Sequence, residues 1–441
     1  MTLRTNGRDN RTGFRVAVIG AGYVGLPTAA TLAHFGHSVV LAERDPVKIA
    51  TLRRGRTPIV ETGLDELIAG GVAAGNLSFT ESAVEAVTGA QFVFLCVPTP
   101  QSADGSADLS FVEAATKEIA THLSAGAIVV NKSTVPVGSA TFVEQVIGRS
   151  DISVVSNPEF LREGTAVLDS LKPERIVVGA DDPQAAAKVG ELFATTAAPL
   201  IVTDATTSET IKYASNAFLA TKLSFVNALA GLCEEVGADA RDVLLGLGYD
   251  KRIGFDFLRP GPGWGGSCLP KDTRALLHIA KEAGYDFSLL AGAIASNDEQ
   301  LSRVIAKVEH MCGGSVDGTT VGAWGLTFKA NTDDRRDSPS LQITSRLAEL
   351  GATVQAFDPT VEADAEPADD LRGLQLRADP YEATIGAHAL VVLTEWDEFR
   401  WLDFSRVLEL MAEPCIVDAR NLLDPAAVRR MGFRYAGIGR Q

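Results

Sequence analysis

Short apolar runs rich in β-branched residues alternate with longer amphipathic stretches over about the first 200 residues of the chain. The apolar runs predict strands at residues 15–19, 38–42, 92–97, 127–130 and 152–155. Helical spacing of apolar residues fills the intervals, for example at 24–35 and 111–123. Strands that alternate with helices predict βαβ units, in which a parallel sheet is covered on both faces.

The pattern changes near residue 208, where apolar positions begin to recur at helical spacing and continue with few helix breakers to about residue 236. This stretch predicts a long helix that connects two domains and whose apolar face could also pack against a second subunit. Further helices are predicted at 274–283 and 289–311. The segment 254–268 is rich in Gly and Pro and is predicted to be a loop.

After residue 314 the alternation of strands and helices resumes. A helix is predicted at 340–350, an acidic loop at 361–370, and strands at 320–326, 353–357, 389–393 and 415–417. The fold class is therefore α/β, with two doubly wound domains joined by a long central helix and a helical middle domain. We expect a flexible tail at residues 1–13, an N-terminal domain at 14–205, the helical domain at 206–312 and a C-terminal domain at 313–441.

Composition and charge narrow the class of protein. The 441 residues are 46% hydrophobic and 22% charged, which is typical of a globular chain of two or three domains. No apolar run approaches the ~20 residues of a membrane-spanning helix, and residues 1–13 lack the apolar core of a secretory signal. The net charge of −16 disfavours binding to nucleic acids or to anionic membranes.

The five cysteines are scattered along the chain, and none forms a C-x-x-C pair. This usage is typical of a reducing compartment and provides no zinc framework, so we expect a cytoplasmic protein without a metal site. Small buried apolar side chains are expected at Cys96, Cys233, Cys312 and Cys415. The fifth cysteine is Cys268, and its neighbours along the chain favour a role as a nucleophile.

Directly after the first predicted strand the chain reads Gly20-Ala21-Gly22-Tyr23-Val24-Gly25 and enters an apolar helix. This is the G-x-G-x-x-G pattern in the strand–turn–helix setting of a dinucleotide-binding domain. The first glycine makes the tight turn, the second lets the pyrophosphate approach, and the third lets the helix pack on the strand. The phosphates then lie at a helix N-terminus, where N–H groups favour negative charge.

The second predicted strand leads directly into Glu43, about twenty residues beyond Gly20. A carboxylate at this position accepts a hydrogen bond from a ribose hydroxyl, which favours NAD over NADP. Arg44 adjoins it and could accommodate a 2′-phosphate. Residues 97–100 follow a later strand and are expected at the carboxyl edge of the sheet, where such cofactors bind.

The segment GWGGSCLPKD at residues 263–272 holds the strongest candidate for catalysis. Its glycines allow a ligand to approach the backbone, and Cys268 stands just before a predicted helix. A helix N-terminus and the neighbouring Lys271 favour the thiolate form of a cysteine, which is a nucleophile. Asp272 lies four residues further on and could transfer protons.

Three other segments place polar groups where packing does not require them. KSTVP at 132–136 and NPEFLREG at 157–164 each follow a predicted strand, and Lys212 and Asn216 are one turn apart on the long helix. Each of these groups is ambiguous by itself, because surface salt bridging explains most such pairs.

Together, GAGYVG, KSTVPVG, NPEFLREGTA, KYASN, GPGWGGSCLPKD and FKANTDDRRDSPS resemble the UDP-glucose/GDP-mannose dehydrogenase family. The resemblance runs in order over nearly the whole chain, from Arg15 to about Gly437. It implies two Rossmann-like domains, the first for NAD and the second for a UDP-sugar. It also implies homodimers or larger homo-oligomers formed through the central helix.

The resemblance assigns individual residues. The implied catalytic residues are Cys268, Lys212, Asp272, Asn216, Glu159 and Thr134. The implied cofactor contacts are Gly20, Gly22, Tyr23, Val24, Gly25, Glu43, Lys48, Val97, Thr99, Ser133, Thr134, Glu163, Lys271 and Arg336. The implied substrate contacts are Glu159, Phe160, Leu161, Arg162, Glu163, Lys212, Asn216, Arg252, Phe257, Arg259, Gly261, Gly263, Gly265, Phe328, Lys329 and Arg420. In family dimers the partner subunit supplies the residue that matches Arg252.

The implied reaction is the NAD-dependent, four-electron oxidation of UDP-glucose to UDP-glucuronate. Cys268 would capture the aldehyde as a thiohemiacetal, which is oxidised to a thioester and then hydrolysed. Lys212 and Asp272 would handle protons or position water. Asn216 would belong to the groups that stabilise the oxyanion.

Three alternatives stay open at this point. NPEFLREGTA and the helix sequence that begins IKYASN resemble the UDP-glucose branch more than the GDP-mannose branch, and the first alternative is the same chemistry on UDP-N-acetylmannosamine or GDP-mannose. A single-step β-hydroxyacid dehydrogenase shares the first domain and a long helix with Lys and Asn, but it has no need for a loop cysteine. A non-catalytic NAD-binding protein would not need Lys212, Cys268 and Asp272.

Overall fold

The computed structural model describes residues 13–102, 104–363 and 368–440. The tail predicted at residues 1–13 lies outside the described residues except for Gly13, as do residues 364–367 of the predicted acidic loop. Contacts divide the chain into two units, residues 1–212 and 213–441. The division falls within one helix, which runs over Ala205–Val236.

The first unit is built on a sheet of eight strands: β1 Arg15–Ile19, β2 Ser38–Ala42, β3 Leu77–Thr80, β4 Phe92–Leu95, β5 Ile128–Asn131, β6 Ser153–Ser156, β7 Ile176–Gly179 and β8 Leu200–Thr203. Their order is β3-β2-β1-β4-β5-β6-β7-β8. Neighbouring strands are parallel except β6 and β7, which pair antiparallel. The first six strands have the order of a dinucleotide-binding sheet, which confirms the predicted fold class.

Helices cover both faces of this sheet. They are α1 Gly25–His34, α2 Pro46–Arg53, α3 Leu64–Ala73, α4 Ala83–Val87, α5 Ser110–Ile119, α6 Ser139–Ile147, α7 Ala166–Leu171 and α8 Pro183–Glu191, followed by the long α9 Ala205–Val236. Along β1, Val16 and Val18 belong to one buried apolar cluster, and Ala17 and Ile19 belong to another. Because successive side chains of a strand point to opposite faces, the near-continuous apolar run of β1 reflects burial on both sides.

The second unit repeats this arrangement after three helices. The helices are α10 Ala240–Gly248, α11 Leu269–Glu282 and α12 Ser288–Met311, with α13 Pro339–Glu349, α14 Phe404–Leu410 and α15 Pro425–Arg430 further on. The strands are β9 Thr320–Trp324, β10 Thr353–Phe357, β11 Gln375–Leu376, β12 Ala389–Val392, β13 Cys415–Asp418 and β14 Arg434–Gly437. They form an all-parallel sheet in the order β11-β10-β9-β12-β13-β14, so the second predicted doubly wound sheet is also confirmed.

Several details differ from the sequence prediction. Strands β3, β7, β8, β11 and β14, each of at most four residues, were not predicted. Helix α11 begins at Leu269 rather than near residue 274, so Cys268 is the residue directly before it.

Among the described residues, α9 is the one helix that is long and apolar enough to cross a membrane by length and composition alone. The core helix of a soluble protein passes the same test, and half of the most apolar window of α9 is buried. Lys212 and Asn216 are buried polar residues of this helix.

Candidate active site

Each glycine of the loop after β1 meets a separate requirement. Gly20 has a φ of +106°, and a Cβ there would lie 2.5 Å from the carbonyl oxygen of Cys96. A Cβ on Gly25 would lie 1.8 Å from the carbonyl oxygen of Gly20, so glycine lets α1 pack directly on the turn. A Cβ on Gly22 would meet nothing within 4 Å. The open backbone at Gly22 is the position where a pyrophosphate approaches such a turn.

Glu43 lies beside this loop at the end of β2. Its carboxylate accepts hydrogen bonds from the N–H of Ala21 at 2.9 Å and from the N–H of Asp45 at 3.1 Å. Arg44 pairs with Glu118 on α5. A fixed carboxylate, with the adjacent guanidinium engaged elsewhere, suits a ribose hydroxyl better than a 2′-phosphate. These residues therefore fit NAD.

The segments that follow β4 and β5 are tied together at the carboxyl edge of the sheet. The Ser133 hydroxyl donates to the carbonyl oxygen of Val97 at 2.7 Å. The Thr99 hydroxyl donates to the carbonyl oxygen of Thr134 at 2.8 Å. The structure thus brings four predicted cofactor residues together. Three others lie half-buried in the glycine loop and at the start of α2: Tyr23, Val24 and Lys48.

A buried ion pair joins the segment after β6 to α9. Lys212 Nζ lies 2.7 Å from Glu159 Oε1, and both side chains are 4% exposed. The other carboxylate oxygen of Glu159 accepts the N–H of Leu161 at 2.6 Å. Burial raises the pKa of Glu159, but the charge and hydrogen bond of Lys212, the N–H of Leu161 and the charge of Lys132 together lower it by more. The net pKa is below its ordinary value, so Glu159 is ionised at neutral pH.

Lys132, which the sequence analysis quoted but gave no role, belongs to the same charged group. Its Nζ donates to Asn157 Oδ1 at 3.1 Å. Burial lowers the pKa of Lys132 to about 8, although Glu159 and Cys96 oppose this shift. Its place at the head of KSTVPVG, directly after β5, was the signal that could have marked it.

The remainder of the NPEFLREG segment contributes an aromatic ring and charges. The guanidinium of Arg175 lies 3.7 Å from the ring centroid of Phe160, and Lys212 Nζ lies 5.6 Å from it. Arg162 is largely exposed and pairs with Asp169 at 2.5 Å. The two other predicted residues of this segment are half-buried, Leu161 and Glu163.

In the second unit, Asp272 lies fully buried in the first turn of α11. Asn216 Nδ2 donates to Asp272 Oδ2 at 2.6 Å, and Lys271 Nζ donates to Asp272 Oδ1 at 2.6 Å. Each carboxylate oxygen therefore has a short polar contact from a donor. Asn216 stands on α9 four residues after Lys212, so helical geometry puts the two on one face of that helix.

Cys268 is half-buried at the start of α11. Its carbonyl oxygen accepts the N–H of Asp272 at 2.9 Å, and Ser267 Oγ lies 3.5 Å from its Sγ. The helix N-terminus and the neighbouring Lys271 make this an electropositive place for a thiol. Of the other cysteines, Cys96, Cys233 and Cys415 are buried and Cys312 is half-buried.

The glycines before Cys268 are needed for packing within the chain. A Cβ on Gly265 would lie 2.1 Å from the carbonyl oxygen of Asp337. Gly266 has a φ of +83°, and its Cβ would lie 2.8 Å from the ring of Phe328. Glycines here were predicted to allow the approach of a ligand, and the structure adds a close internal contact. A Cβ on Gly263, which has a φ of +134°, would similarly press on Asn297.

Arg420 contacts other predicted substrate residues of the second unit. Its guanidinium donates to the carbonyl oxygens of Phe328 at 2.6 Å and Leu393 at 2.7 Å, and pairs with Glu395 at 3.0 Å. A Cβ on Gly261 would lie 3.4 Å from the same guanidinium. Lys329 Nζ lies 5.3 Å from the ring centroid of the adjacent Phe328.

The remaining predicted residues are more exposed. Arg252 has an 89% exposed side chain that pairs with Asp250, and Arg336 has a 58% exposed side chain that pairs with Asp334. Arg259 is exposed. Phe257 is half-buried with a φ of +58°, a left-handed conformation that is costly for an aromatic residue.

Comparison with known proteins establishes the family. Residues 14–197 match the NAD binding domain of the UDP-glucose/GDP-mannose dehydrogenase family, residues 206–299 its central domain and residues 322–425 its UDP binding domain. The chain therefore belongs to the UDP-glucose/GDP-mannose dehydrogenase family.

Individual relatives match over nearly their full lengths. The chain is 46% identical to UDP-glucose 6-dehydrogenase of Rhizobium meliloti strain 1021, with 97% of this chain and 99% of the relative covered. It is 44% identical to UDP-glucose 6-dehydrogenase of Pseudomonas aeruginosa, with 97% of each covered. The solved UDP-glucose dehydrogenase of the hyperthermophilic archaeon Pyrobaculum islandicum superposes with a TM-score of 0.90 at 35% identity, with 99% of this chain and 100% of that chain covered.

Proposed function

We propose that this protein is an NAD-dependent UDP-glucose 6-dehydrogenase, which oxidises UDP-glucose to UDP-glucuronate. The observation that carries the proposal is Cys268 at the start of α11, beside a buried Asp272 that Asn216 and Lys271 hold. Oxidation of an alcohol to an acid passes through an aldehyde, and a thiol can capture that aldehyde covalently. A single-step alcohol oxidation has no need for such a thiol.

The relatives favour UDP-glucose over other nucleotide sugars. Three UDP-glucose 6-dehydrogenases are 43–46% identical to this chain. A UDP-D-ManNAc dehydrogenase from Pyrococcus horikoshii is 28% identical, and a GDP-mannose dehydrogenase from Pseudomonas aeruginosa is 29% identical. The same chemistry on UDP-N-acetylmannosamine or GDP-mannose is the alternative.

A substrate panel separates these possibilities. NADH formation is followed with UDP-glucose, UDP-N-acetylmannosamine and GDP-mannose under identical conditions. We expect kcat/KM for UDP-glucose to be at least about a hundredfold higher than for the others, since a polar site rejects a mismatched group strongly. A higher value for another nucleotide sugar would overturn the assigned substrate.

NAD, when bound, supplies the hydride acceptor for both oxidations. The open backbone at Gly22 would receive its pyrophosphate, and Glu43 would bind a ribose hydroxyl. The edge formed by Val97, Thr99 and Ser133 would face it, as would other residues that the family resemblance implies: Tyr23, Val24, Lys48, Thr134, Glu163, Lys271 and Arg336.

Cys268 performs the covalent steps. Its thiolate adds to the aldehyde carbon, and the aldehyde oxygen takes a proton to give a thiohemiacetal. Loss of a hydride and a proton from that group gives a thioester. Water then attacks the thioester, which releases the carboxylate and restores the thiol. Covalent capture keeps the reactive aldehyde in the site.

The buried polar groups handle protons and negative charge. Asp272 and Lys212 order the water that removes the alcohol proton and the water that hydrolyses the thioester. Lys212 and Asn216 donate hydrogen bonds to the oxyanions of the tetrahedral stages. Glu159 and Thr134 lie near the reacting carbon. Support comes from the burial of Lys212 and Asn216, since polar groups are buried at a cost that their interactions must offset.

In the second unit, the UDP-sugar is bound by Arg420 and by the glycine-rich loop that contains residues 261, 263 and 265. Arg420 and Phe328, which contact each other, would meet the nucleotide together with Lys329 and the glycines at 261, 263 and 265. The remaining contacts would come from the NPEFLREG segment and from Phe257 and Arg259.

An exposed apolar stripe on α9 supports a homodimer or a larger homo-oligomer. Four large side chains recur along one face of the helix and are 55–69% exposed: Phe218, Phe225, Leu232 and Val236. An apolar stripe of this length is typical of a surface that packs against another protein. Such an assembly would let the partner subunit supply Arg252. The five free cysteines are consistent with a cytoplasmic location.

Replacement of Phe218 and Phe225 by Asp tests the assembly. We expect the double variant to scatter light as a monomer, whereas a matched Asp replacement of the exposed Trp401 should leave the wild-type mass unchanged. Retention of the oligomer in the α9 variant would contradict association through this stripe.

A further inference from the structure

Two buried glutamates that the proposed mechanism does not use hold the loops of the site in the first unit. Glu209 lies on α9 and is 3% exposed, and Glu61 lies in the segment before α3 and is 8% exposed. Neither was singled out by sequence, since the partners of each are 69 to 105 residues away along the chain.

Glu209 binds the end of the KSTVPVG segment. Its carboxylate accepts the N–H of Gly138 at 2.6 Å and the N–H of Ala140 at 2.9 Å. Gly138 lies directly before α6 with a φ of +94° and has no side chain to cap that helix, so Glu209 takes the place of a cap. The bond links the loop of Ser133 and Thr134 to the helix that carries Lys212.

Glu61 binds the end of the NPEFLREG segment in the same way. Its carboxylate accepts the N–H of Gly164 at 2.7 Å and the N–H of Ala166 at 2.8 Å. This segment carries Glu159 and Glu163. Each of the two loops thus ends on a bidentate carboxylate brought from a distant part of the chain.

The burial of these carboxylates indicates that they hold the loops in place, because a helix can be capped without a buried carboxylate. The helix caps at Asp182 and Asp424 use exposed aspartates that accept from their own neighbours. For Glu209, burial raises the pKa to about 7, even though the N–H groups of Gly138 and Ala140 lower it. A buried carboxylate is costly, and a nearby exposed side chain could cap the helix at a lower cost.

We propose that Glu209 and Glu61 are positioning residues, each of which fixes one ligand-binding loop: Glu209 the loop that meets NAD, and Glu61 the loop that meets the sugar nucleotide and, through Glu163, also NAD. The assignment of ligands to the loops rests on the proposed function. The two carboxylate clamps, Glu209 on the N–H groups of Gly138 and Ala140 and Glu61 on those of Gly164 and Ala166, rest on the four hydrogen bonds. Neither glutamate touches the reacting atoms.

The test compares Glu209→Gln with Glu61→Gln in the full-length protein. A glutamine can accept from only one of the two N–H groups and turns its own NH2 toward the other. Asp182→Asn is the matched control, because it changes an exposed carboxylate that caps α8. Hydrogen exchange of the amides at 138, 140, 164 and 166 and the two KM values are measured for each variant.

We expect each variant to disturb the loop that its own carboxylate holds and to leave the amides of the other loop unchanged. Glu209→Gln should speed exchange at 138 and 140 at least about tenfold and raise KM for NAD, with 164 and 166 unchanged. Glu61→Gln should speed exchange at 164 and 166 and raise KM for UDP-glucose and, because Glu163 belongs to this loop, also KM for NAD. Asp182→Asn should change neither. Unchanged exchange at a variant's own pair of amides, or a KM for UDP-glucose that rises no more in Glu61→Gln than in Glu209→Gln, would overturn the proposal.

The exchange result also separates this proposal from the proposed function. If the wild type fails to oxidise UDP-glucose while exchange responds as expected, the function fails and the clamps stand. Should either variant fold too poorly for kinetics, exchange in the protein that remains folded still decides whether each carboxylate holds its own loop.

Discussion

Asn216 on α9 donates a 2.6 Å hydrogen bond to the fully buried carboxylate of Asp272 at the start of α11. This bond ties the face of the long helix to the turn that begins at Cys268. The Lys271 ammonium binds the other carboxylate oxygen at 2.6 Å, so Asp272 is fixed from both sides. The arrangement predicts that Asp272 acts from a fixed position.

Asp272→Asn should lower kcat at least about a hundredfold, because the amide cannot accept a proton and confronts two hydrogen-bond donors. Steady-state NADH formation measures this loss. Asp242→Asn, which changes an exposed aspartate in the first turn of α10, is the control and should retain wild-type kcat. An Asp272→Asn enzyme within a factor of three of the wild type would rule out a proton-handling role.

Replacement of two glycines of the same loop by alanine should have opposite effects on folding and binding. Gly22→Ala places its methyl group in open space, so the protein should fold normally but bind NAD at least about tenfold more weakly. Gly25→Ala places its methyl group 1.8 Å from the carbonyl oxygen of Gly20, so its melting temperature should fall by several degrees or more. Thermal denaturation and NAD titration distinguish the two. Normal NAD affinity in Gly22→Ala would contradict the proposed pyrophosphate position.

The depressed pKa of Lys132 predicts a specific dependence of stability on pH. In the folded chain this pKa is about 8, against an ordinary value of 10.5. Between these two values the unfolded chain holds a proton that the folded chain has released, so this residue's contribution to the free energy of unfolding rises with pH.

Denaturant unfolding of the wild type and of Lys132→Met measures this contribution. The unfolding free energy of the wild type minus that of Lys132→Met should rise as pH increases from about 8 to 10.5 and stay constant at lower pH. Lys188→Met, at an exposed position on α8, should give a difference that does not vary in this range. A pH-independent difference for Lys132→Met would show that burial does not shift its proton equilibrium.

Local features of the site could be predicted from the sequence, whereas its distant contacts could not. The roles of Gly20, Gly22 and Gly25 follow from a strand, a turn and a helix that are contiguous in the chain, and the structure gives each glycine the expected surroundings. Glu43 could be proposed from sequence because a dinucleotide-binding unit fixes the distance of this carboxylate from the first glycine.

The clamping glutamates have no such local signal. Glu61 accepts hydrogen bonds from residues more than 100 positions further along the chain, and no spacing rule predicts a contact over such a sequence separation. The internal packing of Gly265 on Asp337 was missed for the same reason, since only the folded chain brings these residues together. Sequence patterns identify local motifs, and tertiary packing decides which distant groups hold them.

The number of NADH molecules formed per UDP-glucose consumed tests the central claim most directly. Oxidation of the alcohol to the acid through the Cys268 thioester predicts a ratio of about two, because four electrons leave the sugar in pairs as hydride. Cys268→Ala should bind NAD normally and form no UDP-glucuronate. A ratio of about one for the wild type, or full activity of Cys268→Ala, would contradict the covalent two-step oxidation.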